Sequence, residues 1–360
     1  MSLSCVAVAK SFLSAALSVG PFHLAGSQRD GMISSVVYSP TSLVLRKAAY
    51  LLLVSVIQVA AEGLPTEPIS PVPSSIPLDH RKVDLGRQLF NDSRLSSGNG
   101  VSCASCHIPE RGLADGLPLS RGLSNHPGIV NTPTLFNVVL NAKLNWSGQY
   151  LTLEEQADMV IENPRVMGGS WDEILSTLSN DTQLTASFNE LYPGGITRKN
   201  VIDAIVQFEK SLLTPNAPFD RYLRGDDKAI SPEAAAGYRI FKAYGCASCH
   251  QGVNVGGNML QVFGIFATPD AAALGGETPG SATGSGIADE KPVFRVPPLR
   301  NVEKTAPYFH DGSATTLKEA INAMAGYQLG RQMLEADVAK LEAFLNSLTG
   351  EYQGVPVDSR

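Results

Sequence analysis

The sequence predicts a mainly α protein made of two small helical domains, and three observations carry that prediction. A short apolar helix followed by the pentapeptide Cys-Ala-Ser-Cys-His occurs twice, with the pentapeptides at 103–107 and 246–250. Apolar residues elsewhere recur at helical spacing, and strand signals are weak throughout. With 360 residues and 43% hydrophobic content the chain can bury core for two domains, which excludes disordered and fibrous classes.

Residues 1–61 read as an export region. Arg46 and Lys47 precede an apolar run from Ala48 to Ala61 that ends in Val59-Ala60-Ala61, a basic, apolar and small-residue series. The run is about 14 residues, whereas a spanning helix needs about 20. Cleavage after Ala61 and delivery to the periplasm are therefore expected in preference to a membrane anchor. The stretch before Arg46 is long for a signal peptide, so Met32 is the expected translation start. Residues 62–82 are rich in proline and read as an extended lead-in.

The first domain is expected over 83–213. Leu85, Leu89 and Phe90 open it at helical spacing, and Val201, Ile202, Ile205, Phe208 and Leu212 form its closing stripe. Thr214-Pro215-Asn216 ends that stripe, and residues 214–230 read as a linker. The second domain is expected over 231–350. Ser231 and Pro232 suit a helix start, Gly237, Ile240, Phe241 and Tyr244 share one face, and Val338, Leu341, Phe344, Leu345 and Leu348 mark a last amphipathic helix. The glycines between 275 and 286 read as a loop, and residues 351–360 as a tail.

Two cysteines at i and i+3 share one face of a helical turn and suit addition to the two vinyl groups of a haem, with the following histidine meeting the iron. Zinc would need a second ligand pair nearby, yet the pentapeptides stand more than a hundred residues apart. A thioredoxin-like motif would need a βαβ context, which is missing. Cys103, Cys106 and His107 are thus expected to hold one haem c, and Cys246, Cys249 and His250 another. The second axial position decides the chemistry, because a methionine there blocks the iron and raises its potential while an open site admits peroxide. By spacing, Met259, Met324 and Met333 are all candidates for such a methionine.

Charge narrows the partners. Without residues 1–61 the chain keeps 24 basic and 33 acidic side chains, a net charge of −9 with no basic cluster. Nucleic acid and anionic lipid are poor partners for such a surface.

From Leu85 to Gly350 the chain resembles the bacterial di-haem cytochrome c peroxidases and MauG-type proteins. The matching stretches include Asn131-Thr132-Pro133-Thr134-Leu135-Phe136-Asn137, Leu153-Glu154-Glu155-Gln156, 214–223 from Thr-Pro-Asn to Arg-Tyr-Leu, Val296-Pro297-Pro298-Leu299-Arg300-Asn301 and Ala306-Pro307-Tyr308-Phe309-His310-Asp311-Gly312. The resemblance implies two cytochrome c-like haem domains, a peroxide site at the first haem and electron acceptance at the second. It implies that Met324, fourteen residues after His310, ligates the second iron, and that Trp146 lies between the haems. It also implies a calcium ion on Asn131 and the carbonyls of Thr305 and Pro307, oxygen donors that suit a hard cation. A homodimer is common in the family.

Two features depart from the pattern. The family's acid/base glutamate lies ten residues after the glutamine matching Gln156, a position held here by Val166, which carries no proton. Candidate substitutes are Glu162, Arg165, Gln156 and His126, although a permanently protonated arginine is no base. The distal loop is short, with Leu123 at the family's histidine position and His126 three residues on. His126 is open to three readings: iron ligand, distal acid/base, or exposed loop residue. The expected activity is reduction of hydrogen peroxide with electrons from a small c-type cytochrome or cupredoxin, the catalytic set being His107, Gln156, Trp146 and His126. MauG-like oxidation of a partner protein and a non-catalytic electron carrier are the alternatives.

Overall fold

Each cysteine pentapeptide follows a helix that crosses a later helix at a glycine. The computed structural model describes residues 67–123, 128, 130–267 and 292–357. The export region, His126 and the glycines between 275 and 286 lie outside the described residues. Helix α1 (His80–Phe90) starts three residues ahead of Val83, because Asp79 caps it by accepting from the Arg81 amide at 3.0 Å. It crosses α5 (Arg198–Lys210), whose buried stripe holds Val201, Ile202, Ile205 and Phe208. At the crossing a Cβ on Gly86 would overlap the Ala204 carbonyl oxygen.

The second domain repeats this geometry. Helix α7 (Pro232–Ala243) begins as expected, with Ser231 accepting from the Ala234 amide at 3.1 Å and Pro232 in its first turn. It crosses α9 (Glu335–Asn346) at Gly237, where a Cβ would overlap the Lys340 carbonyl oxygen. Phe344 of α9 then packs against Phe219, Tyr238 and Phe241, with ring centroids 5.0 to 5.2 Å apart.

Helices α2 (Leu153–Glu162), α3 (Trp171–Ser179) and α4 (Thr182–Leu191) contribute buried residues to the first core. Helix α2 stops before Asn163-Pro164, as the proline requires. Helix α8 (Leu317–Leu329) enters the second domain through a capping box between Thr316 and Glu319. The described strands are short: β1 (Leu260–Val262) pairs with β2 (Val293–Arg295), and β3 (Glu351–Tyr352) with β4 (Val355–Pro356), both antiparallel.

Three connecting segments are more ordered than their composition suggests. In the lead-in, Ile69 bridges to Gly252 and joins the second core, while the Val72 amide donates to Asp220. The 214–230 linker contains helix α6 (Pro218–Leu223), which carries Asp220 into a buried ion pair with Arg300 at 2.7 Å. The tail forms the β3–β4 hairpin, which returns Val357 to the first core and sets Tyr352 against Phe136. In each segment a few buried side chains provide the contacts that order otherwise polar chain.

The domains also meet at Thr214. Asn137 Nδ2 donates to its hydroxyl at 2.7 Å and Asn301 Nδ2 at 2.9 Å, and Asn137 Oδ1 accepts from its amide. Both asparagines adopt left-handed backbone, at φ 60° and 61°. They occupy matching places in Phe136-Asn137-Val138 and Arg300-Asn301-Val302, a second mark of the repeat.

Candidate active site

Two cavities open beside the two pentapeptides. In the first, the turn Cys103–Ser105 presents Cys103, Cys106 and His107 to space walled by Gln156, Val160 and Val166. His107 Nδ1 donates to the Leu113 carbonyl at 3.0 Å, so Nε2 is the ring nitrogen that could ligate a metal. Burial lowers the His107 imidazole below its usual range and keeps it neutral, as an iron ligand must be.

The second cavity has about 270 Å³ of space and is walled by Cys246, Cys249 and His250 together with Trp146, Phe294 and Met324. Burial drives His250 down to about 4; the backbones of Val255 and Pro297 oppose this, but Nδ1 forms no hydrogen bond. A buried neutral imidazole beside two thiols on one turn fits a covalently held haem. Burial pushes the Cys103 thiol up to about 12, and Cys106 and Cys246 to about 11. Among the described residues no group of three or more His, Cys, Asp or Glu side chains could hold a metal.

The remaining sequence candidates divide between the cavities. Met324 of α8 and Met333 both wall the second, whereas Met259 is not on its wall. Trp146 lies on the same wall, its Nε1 donating to the Asn131 carbonyl at 2.9 Å and its ring meeting His310 edge-on at 6.3 Å. Asn131, Thr305 and Pro307 also line this cavity, and Asn131 Nδ2 is committed to the Leu117 carbonyl at 2.8 Å, which leaves Oδ1 for another partner.

In the first cavity, Gln156 sits on α2 and donates to Asn145 Oδ1 at 3.3 Å. Val166 is on the same wall. Glu162 points elsewhere: it pairs with Arg198 at 2.7 Å, is substantially exposed, and with Arg165 is absent from the cavity wall. His126 lies outside the described residues. Sequence reasoning missed Glu209, a buried carboxyl on the first cavity, pushed up to about 8 by burial with Glu154 adding to the shift, and with Oε2 unpartnered. Its signal was available, since a glutamate four residues after Ile205 falls on the apolar face of α5.

The family described as di-haem cytochrome c peroxidase matches residues 80–228, and the cytochrome c family matches 234–349. The chain is 41% identical over 287 residues to the cytochrome c peroxidase of Escherichia coli (strain K12), covering 79% of this chain and 62% of that protein. It therefore spans just under two thirds of that relative's length. Against the cytochrome c551 peroxidase of Pseudomonas aeruginosa it is 37% identical, covering 78% of this chain and 84% of the other. The methylamine utilization protein MauG of Methylophilus methylotrophus is 30% identical, with 78% and 86% covered. Among solved structures, a MauG-like protein associated with microbial copper homeostasis superposes with a TM-score of 0.63 at 28% identity, over 80% of this chain and 95% of that one.

Proposed function

This chain belongs to the bacterial di-haem cytochrome c peroxidase family, and from that premise we propose that it reduces hydrogen peroxide to water in the periplasm, with two electrons drawn from a small c-type cytochrome or cupredoxin. Residues 83–213 form the peroxidatic domain and 231–350 the electron-accepting domain. The observation that carries the reading is the inequality of the cavities: a methionine, Met324, faces the space beside His250, while the amide Gln156 and the inert Val166 face the space beside His107.

When bound, the two haems supply the one-electron chemistry and the iron at which peroxide is cleaved. The protein does the rest. His107 and His250 would each supply a ligand to an iron, and Met324 would supply a second to the iron beside His250 and so keep peroxide from it. Gln156, anchored on Asn145, orients peroxide by hydrogen bonds. Trp146, on the wall of the second cavity, shortens the path electrons take to the first. Reduction of one peroxide also consumes two protons, and Val166, in the glutamate's position, can carry neither. Asn131 Oδ1 and the carbonyls of Thr305 and Pro307, on the wall of the second cavity, would hold a calcium ion. A homodimer is the assembly this family favours.

The test adds hydrogen peroxide to fully oxidised and half-reduced holoprotein and follows the haem spectra while reduced cytochrome c is supplied. Rapid cytochrome oxidation is the expected result. Long-lived oxidised haems that ignore the cytochrome point to MauG-like oxidation of a partner protein, which the missing glutamate at Val166 keeps as the second reading. No spectral response at all leaves only an electron carrier.

A further inference from the structure

Arg295 stands on the wall of the second cavity with a guanidinium that no acid among the described residues answers. It is 3% exposed, and no carboxylate among the described residues lies within ion-pair distance. Its main chain is fixed in β2 opposite Leu260, and its amide donates to the Trp146 carbonyl at 2.7 Å. Nε donates to the Asn145 carbonyl at 2.8 Å, while Nη1 makes no hydrogen bond.

Arg300, five residues on, provides the comparison. It is as deeply buried and its Nη1 also makes no hydrogen bond, yet it has Asp220 at 2.7 Å to balance its charge, with the carbonyls of Ser70 and Val253 as further acceptors. Burial alone lowers Arg295, to about 10, so its side chain stays charged at neutral pH. An unpaired buried cation is strongly destabilising unless a counter-charge reaches it. Among the described residues the protein offers none, so what fills the cavity is the source of the anion.

We propose that Arg295 is the anchor for a propionate carboxylate of the haem held by Cys246 and Cys249. This rests on the di-haem reading and adds to it a binding residue on the opposite side of the haem's chemistry from the thioethers and axial ligands. The fork of an arginine suits the task, with one edge spent on the Asn145 carbonyl and the other directed to the carboxylate. Lysine has a single charged centre and could not hold both in fixed directions.

The anchor has a second consequence. Asn145, held in left-handed backbone at φ 62°, accepts from Arg295 through its carbonyl and from Gln156 through its side chain. A short hydrogen-bonded chain therefore runs from the carboxylate site of the second haem to the amide that faces the first.

The test uses the holoprotein and its Arg295→Met and Arg295→Lys variants. A cation beside a haem favours the reduced state. Arg295→Met is therefore expected to lower the midpoint potential of the methionine-ligated haem and to move its propionate bending band in resonance Raman spectra, with the potential of the other haem unmoved. Arg295→Lys keeps most of the potential and still moves the band. Two attached haems with neither quantity changed in Arg295→Met would overturn the proposal. Should the variants fail to fold, the unmodified protein decides, because propionate bands at the position of a solvated carboxylate also overturn it. A polypeptide mass showing fewer than two haems on the unmodified chain fails the di-haem reading instead and takes the anchor with it.

Discussion

Met324, Val166 and Glu209 each support a prediction at the scale of one side chain. Met324→Leu removes the only soft donor proposed for the second iron, so the charge-transfer band of methionine-ligated ferric haem disappears and the potential falls, whereas Met333→Leu preserves both. Val166→Glu installs a proton carrier on the first cavity, and peroxide turnover measured with reduced cytochrome c rises on the order of 10²-fold. Glu209 titrates at about 8 in the folded chain because it is buried, well above an unfolded carboxyl. Between those values the unfolded state binds fewer protons than the native one, so this group's contribution to stability declines as pH rises to about 8. Glu209→Gln removes the decline. Denaturant unfolding is expected to find the variant equal to wild type near about pH 5 and more stable near about pH 9; a variant less stable at both would sink the argument.

The helix pairs carry the predictions of the next scale. Helices α1 and α5 approach at Gly86, and α7 and α9 at Gly237, closely enough that either Cβ would overlap a carbonyl of the crossing helix. Gly86→Ala and Gly237→Ala each cost about 1–3 kcal/mol through overpacking. The loss should appear as a lower denaturant midpoint together with poorer haem loading of the affected domain only. Both glycines are legible in the sequence as parts of Gly86-Arg87-Gln88-Leu89-Phe90 and Gly237-Tyr238-Arg239-Ile240-Phe241. Their reason is not, because it lies on helices more than a hundred residues away. The same holds for α6, whose six residues are too few to signal a helix by periodicity and which is pinned by the Asp220–Arg300 pair.

At the scale of the whole molecule, two cores built on one plan are joined at Thr214 and by the lining of the second cavity, where Asn131 and Trp146 from the first half meet Thr305 and Pro307 from the second. A calcium ion at those oxygens would couple the halves. Chelation should lower the melting temperature of the holoprotein, each kcal/mol of lost binding being worth roughly 2–4 °C for a chain of moderate size. Added calcium should restore it. An unchanged melting curve after chelation would remove calcium from the reading.

What the sequence by itself determined is the chemistry that depends on short spacing: two haem-attachment turns, their helices, the caps at Ser231 and Pro232, and the absence of a proton carrier at Val166. Covalent attachment and helix periodicity are local, so a single stretch of chain contains them. Only the tertiary structure decided which distant residues share a cavity. It set Met324 and Met333 rather than Met259 beside His250, turned Glu162 away to Arg198, and brought Glu209 and the unanswered charge of Arg295 to the two cavity walls. Burial and pairing of charge belong to the packed molecule, since a carboxylate or guanidinium costs nothing in water and acquires its meaning when the surrounding chain removes the solvent.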